Sequence, residues 1–386
     1  MTSRKPEQPM RYREQLPKLR TVVVKVGSRV VTAGHQARYR SRIRHLVDDI
    51  ARLRADGVRV LLVSSGAIAH GMEMLKLSAR PRSVPLQQAC AAVGQVRLMD
   101  SYTRLFARHE LVAGQVLLSW DDLRDKRRYL NLRNTLFQLL DCNAVPVINE
   151  NDSVGIEEIN FGDNDTLGAQ MAMLVGAELY VMLTDVGGLY RENPATNSNA
   201  EHIPLVHAVT RELHALASGA GSAVGVGGMV TKLKAAEMVT RAGICALIGD
   251  GSRGLLSEVL SNADRGTLFL PSSRRMSSRR RWIAFTRHAS GSIVVDAGAE
   301  RAIVGRGKSL LPAGVRRHSG IFKRGDMVTI ENEDGNVLGQ GLVNYSADEL
   351  GRIQGHRTSQ IQAQLGYKTY DEVIHRDNLV VMEEDT

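Results

Sequence analysis

The sequence lacks several motifs that mark common enzyme classes. It contains no GxxxxGK[ST] phosphate loop, no HExxH and no GxSxG. These absences argue against a P-loop nucleotide site, a zinc protease of the HExxH type and the nucleophile elbow of an α/β-hydrolase. If the chain binds phosphate, it must use another design.

Cysteines and long apolar runs are also scarce. The three cysteines, Cys90, Cys142 and Cys245, lie far apart and have no histidine at metal-ligand spacing. We therefore expect buried thiols, with neither a disulfide framework nor a zinc site. No apolar run reaches the roughly 20 residues that a membrane-spanning helix needs, and the polar, basic start of the chain lacks the apolar centre of a secretory signal. These features predict a cytoplasmic protein without membrane contact.

The composition is that of a globular enzyme. At 386 residues the chain is longer than a domain with a single hydrophobic core usually is, so we expect two domains. A hydrophobic content of 43% and 36 glycines against 10 prolines are typical of an α/β enzyme and argue against disorder. The formal charge of +9 is compatible with an anionic ligand, but it does not discriminate between ATP, an anionic amino acid and RNA.

Short β-branched runs alternate with helical stretches from Thr21 to about Leu270, which is the pattern of a parallel sheet covered by helices. Apolar residues between Ile43 and Leu53 recur at helical spacing and predict an amphipathic helix. The runs that suit strands buried on both faces are Thr21–Val26, Val58–Val63, Ala144–Ile148, Leu179–Leu183 and Ile244–Ile248. The predicted fold class is α/β, a largely parallel sheet sandwiched by helices, followed by a small mostly-β domain.

The boundary between the two domains is predicted from an arginine-serine segment, SSRRMSSRRR, at 272–281. It has no apolar periodicity and is expected to be solvated. Short strand-like runs separated by glycine turns follow at Ser292–Val295, Met327–Glu331 and Val337–Val343. The predicted organisation is a disordered extension at 1–19, an α/β domain at 20–271, a basic linker at 272–286, a mostly-β domain at 287–370 and a tail at 371–386.

Small and charged residues follow the first two predicted strands. Lys25 stands at a strand end before Gly27, whose backbone can approach an anion closely. Ser65, Gly66 and Ala67 open a predicted helix with free amide groups that can bind an anion. A surface lysine beside a turn and a helix-capping serine are the alternatives. Ligands bind at the carboxyl ends of strands in open parallel sheets, which favours one shared site.

Three further segments carry polar or glycine-rich residues after apolar runs. The clusters at 149–152 (NEND) and 162–165 (GDND) can hold an ammonium group and help place Mg²⁺-bound phosphates, with surface Asx turns as the alternative. Thr184 and Asp185 end another strand and suit a nucleotide-binding turn. The run Gly225–Lys232 enters a helix, where Lys232 and free amides can meet phosphate.

Taken in order, these motifs resemble those of the amino acid kinase family, and within it the glutamate 5-kinases. The motifs are Lys25-Val26-Gly27-Ser28, Ser65-Gly66-Ala67-Ile68, Val147–Asp152, Gly162–Asp165, Leu183–Asp185 and Gly227–Lys232. The resemblance covers about residues 20–270, and Gly291–Leu350 is similar to a PUA domain. It implies ATP-dependent phosphorylation of the γ-carboxylate of L-glutamate to γ-glutamyl phosphate, the first step of proline biosynthesis, with Mg²⁺ accompanying ATP. Family members usually form dimers or tetramers and are commonly inhibited by L-proline.

The resemblance also implies a role for each matching residue. Lys25 and Lys232 act on the transferring phosphoryl group, and Asp165 holds both lysines. The implied glutamate-binding residues are Ser65, Gly66, Ala67, Asn149, Asp152 and Asn164. The implied ATP site comprises Lys25, Gly27, Thr184, Asp185, Gly227, Gly228, Met229, Thr231 and Lys232, without a metal ligand from the protein. Val226 stands where the family often has threonine, so no hydroxyl reaches phosphate from that position, whereas Ser64 at another threonine position keeps the hydroxyl.

The implied reaction suits this residue set. A glutamate side chain, with a reference pKa of about 4.3, is ionised at neutral pH and can attack phosphorus without a general base. The protein must then supply positioning and positive charge. Two alternatives stay open. One is an RNA-binding protein that uses the basic charge and the PUA-like domain, although Phe322 and Tyr345 form no evident stacking platform. The other is a related kinase acting on aspartate, N-acetylglutamate or a nucleotide.

Overall fold

The computed structural model describes residues 16–32, 36–154, 164–194, 196–197, 199–219, 228–251, 256–261, 265–271 and 289–381. The chain separates into two compact units, Met1–Arg275 and Met276–Thr386. The predicted basic linker lies wholly outside the described residues, and the exact domain limits stay predictions. None of the helices in the described ranges is long and apolar enough to cross a membrane.

The N-terminal unit alternates strands and helices. Its described strands are β1 (Thr21–Val26), β2 (Arg59–Ser64), β3 (Val112–Leu118), β4 (Ala144–Glu150), β5 (Leu179–Thr184), β6 (Leu189–Tyr190), β7 (His202–Ile203), β8 (Leu205–Val206), β9 (Cys245–Asp250) and β10 (Gly266–Phe269). Its described helices are α1 (Ser28–Thr32), α2 (Gln36–Ala55), α3 (Ala67–Met74), α4 (Val84–Ala107), α5 (Trp120–Arg124), α6 (Lys126–Asp141), α7 (Asn164–Val175), α8 (Arg211–Gly219), α9 (Met229–Arg241) and α10 (Leu256–Ser261).

Within the described residues, eight of these strands form one sheet in the order β3-β4-β2-β1-β5-β9-β10-β8. The six strands from β3 to β9 in that order run parallel, and β10 is antiparallel to β9. The largely parallel sheet predicted from the sequence is therefore confirmed. The strand β3 was not predicted, because its glycine-containing sequence lies at the sheet edge and is only partly buried.

Helices cover both faces of the central strand β1. Val22, Val24 and Val26 belong to an apolar core that also contains residues of α2 and α4. Successive side chains of a strand point to opposite faces, so Lys25 lies on the other face, where it contacts Asp165 of α7. This alternation delivers one charged side chain from an otherwise apolar strand to the α7 side of the sheet.

Four strands end one or two residues later than the apolar runs predicted. In β4 the ladder with β3 continues to the pairs Leu117–Asn149 and Leu118–Glu150, and in β5 it extends to Thr184, which pairs with Asp250 of β9. Parallel pairing holds polar residues in extended backbone where the apolar pattern has already stopped. Asn149 and Thr184 are therefore parts of the sheet and not of the turns that follow it.

The C-terminal unit has its own sheet and core. Its described elements are β11 (Gly291–Val295), α11 (Ala297–Glu300), β12 (Val315–Gly320), β13 (Met327–Glu331), β14 (Val337–Leu342), α12 (Ala347–Ile353), α13 (Ile361–Leu365) and β15 (Leu379–Val381). Within the described part, the five strands are ordered β12-β11-β13-β14-β15, and only the β11–β13 pair is parallel. The small mostly-β domain is thus confirmed. Its sheet includes β15, which lies in the segment predicted as a tail.

The cysteines are free thiols in two environments. Cys90 and Cys245 are buried, but Cys142 is exposed, so the expectation of buried thiols is wrong for Cys142. It follows the last residue of α6, where the helix end faces solvent. For Cys245, burial raises the pKa to about 11, so this thiol stays protonated at neutral pH.

Candidate active site

The candidate site lies at the carboxyl ends of neighbouring parallel strands. Lys25 lies near the end of β1, Ser65 follows β2, Asn149 lies in β4 and Thr184 ends β5. These four strands are consecutive in the order β4-β2-β1-β5, and such an edge is where open α/β sheets bind ligands. Two hydrogen bonds tie the edge together: the N–H of Ser65 donates to the carbonyl of Val26 at 3.2 Å, and that of Gly27 to Leu183 at 3.0 Å.

Asp165, in the first turn of α7, joins the two predicted lysines. Its fully buried carboxylate accepts a hydrogen bond from Lys25 Nζ at Oδ1 and from Lys232 Nζ at Oδ2, the latter at 3.0 Å. Burial alone would raise the pKa of Asp165, but the charges and hydrogen bonds of Lys25 and Lys232 outweigh it and lower the pKa to about 2. The carboxylate is thus ionised at neutral pH, and two positive charges against one negative leave the group a net charge of +1.

Tyr180 fixes the backbone at Asp165, and the sequence analysis missed it. Its hydroxyl donates to the carbonyl of Asp165 at 2.7 Å. Gly168 makes room for this ring, because a Cβ there would lie 2.4 Å from the phenol oxygen. Tyr180 stands in the apolar strand β5, where the sequence pattern indicates only a core position.

The start of α9 supplies Lys232 together with Thr231. Thr231 Oγ1 lies 2.7 Å from the carbonyl of Gly228 and 3.1 Å from Asp165 Oδ2, and its one hydrogen can be donated to only one of them at a time. Gly228 precedes Met229, the first residue of α9, so free amides of the first turn lie beside the lysine. Gly225, Val226 and Gly227, which begin the predicted glycine loop, lie outside the described residues.

A second group of predicted residues forms an amide cluster. The Asn164 Nδ2 group donates to Ser65 Oγ at 2.7 Å and to Asn149 Oδ1 at 2.9 Å. The Asn149 Nδ2 group donates in turn to Gln95 Oε1 at 3.0 Å. Gln95 belongs to α4 and was missed, since a glutamine 54 residues away from Asn149 carries no local signal. Gly66 lies beside this cluster with a φ of 112°, a left-handed conformation that favours glycine.

Asp152 follows β4 and lies close to the amide cluster in sequence. Burial raises the pKa of its carboxyl, and the positive charge of Arg80 opposes that effect. A carboxylate in such surroundings gains much from a cationic partner. Gly162 and Asp163, from the second Asn/Asp motif, lie outside the described residues.

The predicted nucleotide residues lie at the end of β5. The hydroxyl of Thr184 donates to Asp185 Oδ1 at 3.1 Å, and Arg29 Nη1 lies 3.0 Å from Asp185 Oδ2. Partial burial raises the pKa of Asp185, but the hydrogen bond and charge of Arg29 contribute to a net lowering. Arg29 was missed because it follows the recognised motif by one residue. The backbone N–H of Gly27 already donates to the carbonyl of Leu183, so it is not available to an anion. Gly27 can still let an anion approach closely because it has no side chain.

The run Gly249–Gly254 has GxGxxG spacing and begins within the last two residues of β9, which invites comparison with a dinucleotide-binding turn. That motif needs a strand-helix-strand unit with parallel strands. Here the next strand, β10, pairs antiparallel to β9. The context of a Rossmann fingerprint is therefore absent at this place.

Comparison with known proteins agrees with this geometry. Residues 20–250 match the model of the amino acid kinase family, and these residues contain the whole candidate site from Lys25 to Lys232. The chain belongs to the amino acid kinase family. Residues 291–365 match the PUA domain, so a PUA domain follows the kinase domain.

Curated relatives share both parts of the chain. Three that carry the name glutamate 5-kinase come from Trichlorobacter lovleyi, with 46% identity covering 95% of this chain and 98% of that one, from Geobacter sulfurreducens, with 47% identity covering 95% and 99%, and from Syntrophus aciditrophicus, with 47% identity covering 96% of each. The likeness extends over nearly the full length on both sides.

Proposed function

We propose that this chain transfers the γ-phosphoryl group of ATP to the γ-carboxylate of L-glutamate, giving γ-glutamyl phosphate and ADP, the first step of proline biosynthesis. The observation that carries the proposal is the Lys25–Asp165–Lys232 group beside the Ser65–Asn149–Asn164 amide cluster. These residues occur in a chain that is 46–47% identical to glutamate 5-kinases over nearly its whole length.

In this reaction an oxygen of the γ-carboxylate attacks the γ-phosphorus. The bond between phosphorus and the oxygen that bridges the β- and γ-phosphates breaks, and that oxygen leaves with its electron pair on ADP. The nucleophile is ionised at neutral pH, so no proton has to be removed. Lys25 and Lys232 stabilise negative charge on the transferring and leaving oxygens, while Asp165 fixes both ammonium groups in advance of the reaction.

The amide cluster and Asp152 are assigned to the amino-acid end of glutamate. Asp152 pairs with the substrate ammonium, which relieves the cost of desolvating its partly buried carboxylate. Ser65 and the start of α3 meet a carboxylate, because a helix N-terminus offers unpaired N–H groups. This division leaves the lysines for the phosphoryl group at the other end of the substrate.

ATP is assigned to the side of the site formed by Thr184, Asp185 and the start of α9. The described residues contain no group of three or more His, Cys, Asp or Glu side chains that could hold a metal ion, and both oxygens of Asp165 are engaged by lysines. The described residues therefore do not fit a resident metal site. Mg²⁺ is expected to enter bound to the phosphates of ATP, as it commonly does in kinases.

The proposal is tested by offering the purified protein ATP with L-glutamate, L-aspartate or N-acetyl-L-glutamate and trapping the acyl phosphate with hydroxylamine. We expect hydroxamate formation with L-glutamate and at most a small fraction of that rate with the other acceptors. Faster turnover of aspartate or N-acetylglutamate would assign the chain to a sister kinase activity.

RNA binding by the C-terminal unit is a second candidate function, favoured by the PUA match and by exposed basic residues on and after β12, among them Arg316, Arg317 and Lys323. Phe322 and Tyr345 are 2% and 1% exposed, so neither can stack on a base. A gel-shift titration with structured RNA at 50 and 200 mM salt tests it, because phosphate contacts weaken steeply with salt. Absence of a shift at the lower salt concentration would dismiss this candidate.

Three further properties stay predictions from the family resemblance. We expect a dimer or tetramer, measurable by light scattering of the purified protein. L-Proline is expected to inhibit competitively with glutamate, which initial-rate measurements at several proline concentrations would test. A cytoplasmic location is expected and can be checked by cell fractionation.

A further inference from the structure

The backbone N–H of Glu150 sets the direction of a chain of hydrogen bonds through the amide cluster. It donates to Asn149 Oδ1 at 2.9 Å. A backbone N–H can only donate, so the oxygen of Asn149 must face it and the Nδ2 group must face away. The rotation of this side-chain amide is thereby decided by the sheet itself, since Glu150 belongs to the β4 ladder.

The orientation of Asn149 determines the orientation of the side chains that it contacts. The Nδ2 group of Asn149 lies 3.0 Å from Gln95, so Gln95 must present Oε1. Asn149 Oδ1 also lies 2.9 Å from Asn164, so Asn164 must present Nδ2. That same Nδ2 group donates to Ser65 Oγ at 2.7 Å. None of these three side-chain amides can be flipped without placing two donors or two acceptors opposite each other.

This ordered chain leaves groups that match an α-amino acid. Asn164 Oδ1 is a buried acceptor without a hydrogen-bond partner in the described part of the structure, and such an acceptor calls for a donor. Ser65 Oγ accepts from Asn164, so its own hydrogen is left to donate. An acceptor for an ammonium group and a donor for a carboxylate therefore stand on two residues linked by one hydrogen bond.

Gln95 is buried on a helix that packs tightly against α3, and its own Nε2 group has no hydrogen-bond partner among the described residues. It is 8% exposed, and its neighbour Gly94 packs so tightly on the first turn of α3 that a Cβ would lie 1.8 Å from the carbonyl of Ala67. Oε1 of Gln95 satisfies Asn149 Nδ2, which would otherwise be a buried donor without a partner among the described residues. Without that acceptor, the Asn149 Nδ2 group would be an unsatisfied buried donor, and the present orientation of the Asn149 amide would be less stable.

We infer that Gln95 is a positioning residue for glutamate: through Asn149 it holds Asn164 and Ser65 in the orientation that presents an acceptor to the substrate ammonium and a donor to its carboxylate. Gln95 acts through Asn149 and is not placed against the phosphoryl group. The inference rests on the proposed function, because it concerns the recognition of glutamate at that site.

The test compares Gln95→Met, which keeps the size and removes the acceptor, with Gln87→Met on the same helix, whose Nε2 group donates to the carbonyl of Pro81 at 2.9 Å outside the cluster. For Gln95→Met we expect the glutamate KM to rise about tenfold or more, the size of effect when one buried polar group loses its partner. The kcat and the ATP KM should stay within about threefold. Gln87→Met should match the wild type in all three.

Two measurements separate positioning from a general structural role. The preference for L-glutamate over glutarate, which lacks the ammonium group, should fall about tenfold in Gln95→Met, as the ratio of kcat/KM values. In an Asn149→Ala background, the Gln95 substitution should raise the glutamate KM little further, because Gln95 is inferred to act only through its hydrogen bond to Asn149.

A further variant, Gln95→Glu, keeps an oxygen toward Asn149 and is expected to recover most of the glutamate KM even if Gln95→Met folds poorly. Equal KM and equal glutarate preference in wild type and Gln95→Met would overturn the inference while leaving the proposed function standing. So would a full additional effect in the Asn149→Ala background, or a Gln95→Glu variant no better than Gln95→Met. A wild-type protein that does not phosphorylate glutamate would overturn the proposed function and this inference with it.

Discussion

Two buried lysines share the carboxylate of Asp165, and at the scale of single residues this sharing sets the electrostatics of the site. A lone buried ammonium group would be costly to desolvate, whereas one paired with a buried carboxylate is compensated. The net charge of +1 leaves the group able to attract phosphate oxygens after the internal pairing is satisfied. Both lysines can therefore be buried and still serve an anionic reaction.

Replacing Lys232 is expected to affect the reaction rate more than substrate binding. We expect Lys232→Ala to lower kcat by about 100-fold or more and to change the glutamate KM little, since a charge aimed at the transition state lowers the barrier. Lys234→Ala is the matched control, because Lys234 lies on the same helix and is exposed. Steady-state kinetics of both variants give the answer; a Lys232→Ala enzyme with over half of wild-type kcat contradicts the assigned role.

The pH dependence of glutamate binding is expected to report Asp152. Burial raises the pKa of its carboxyl, and only the ionised form can pair with an ammonium group. The glutamate KM should therefore rise as the pH falls through this raised pKa, because protonated Asp152 no longer attracts the substrate ammonium group.

The control for this prediction is Asp152→Asn, which should have a high glutamate KM at every pH and lose the part of the acidic rise that is due to Asp152. ATP KM should be unchanged in both proteins. If the variant keeps the wild-type pH profile, another group is responsible.

At the scale of secondary structure, the crossing of α3 and α4 positions the glutamate side of the site. Gly71 of α3 and Gly94 of α4 let the helices touch: a Cβ on Gly71 would lie 1.8 Å from the carbonyl of Cys90, and one on Gly94 equally close to Ala67. Ser65 leads into α3, and Gln95 lies on α4. A change in the crossing thus displaces both sides of the amide cluster.

We expect Gly94→Ala to lower the free energy of unfolding by about 3 kcal/mol, the upper end of the usual cost of overpacking, because the contact is with backbone. The glutamate KM should rise in parallel. Gly305→Ala provides the control, since a Cβ there meets no atom within 4 Å and the backbone is not left-handed. Denaturant unfolding followed by kinetics on the folded fraction checks both; a Gly94→Ala protein as stable as the control would show that the helices can separate freely.

At the scale of the whole molecule, the two units have separate cores. The C-terminal core includes Ile293, Val328 and Tyr345, whereas every residue assigned to chemistry lies between Lys25 and Lys232. Domains with their own cores usually fold independently across a polar connection. The kinase domain should therefore carry the complete active site.

A chain truncated after Arg281 is accordingly expected to fold and to phosphorylate glutamate. Its kcat should lie within about threefold of that of the full-length protein. Thermal melting establishes folding, and hydroxamate formation measures activity beside the intact chain. Inhibition by proline or the steepness of the glutamate response can change without contradicting the prediction. A folded fragment without activity would contradict it.

The residues of the site were predictable where local pattern and motif order were enough. Apolar runs placed β1, β2, β4, β5 and β9, because burial on both faces leaves a continuous apolar signal. The order of the motifs indicated the family, which the comparisons confirm. Lys25, Ser65, Asn149, Asn164 and Lys232 were predicted from these motifs, and the structure brings them together in two neighbouring groups, while their roles stay predictions.

Other features were settled only by tertiary structure. The sequence by itself determined the five strands that are buried on both faces, the helix around Ile43–Leu53 and the polar motifs near the strand ends, because periodic burial within an element depends on neighbours in the chain. It did not determine that Gln95 meets Asn149, that Tyr180 fixes Asp165 or that Leu379–Val381 completes the second sheet. Those contacts depend on strand order and helix crossing, for which many arrangements satisfy the same local pattern, and only packing of the whole chain selects one.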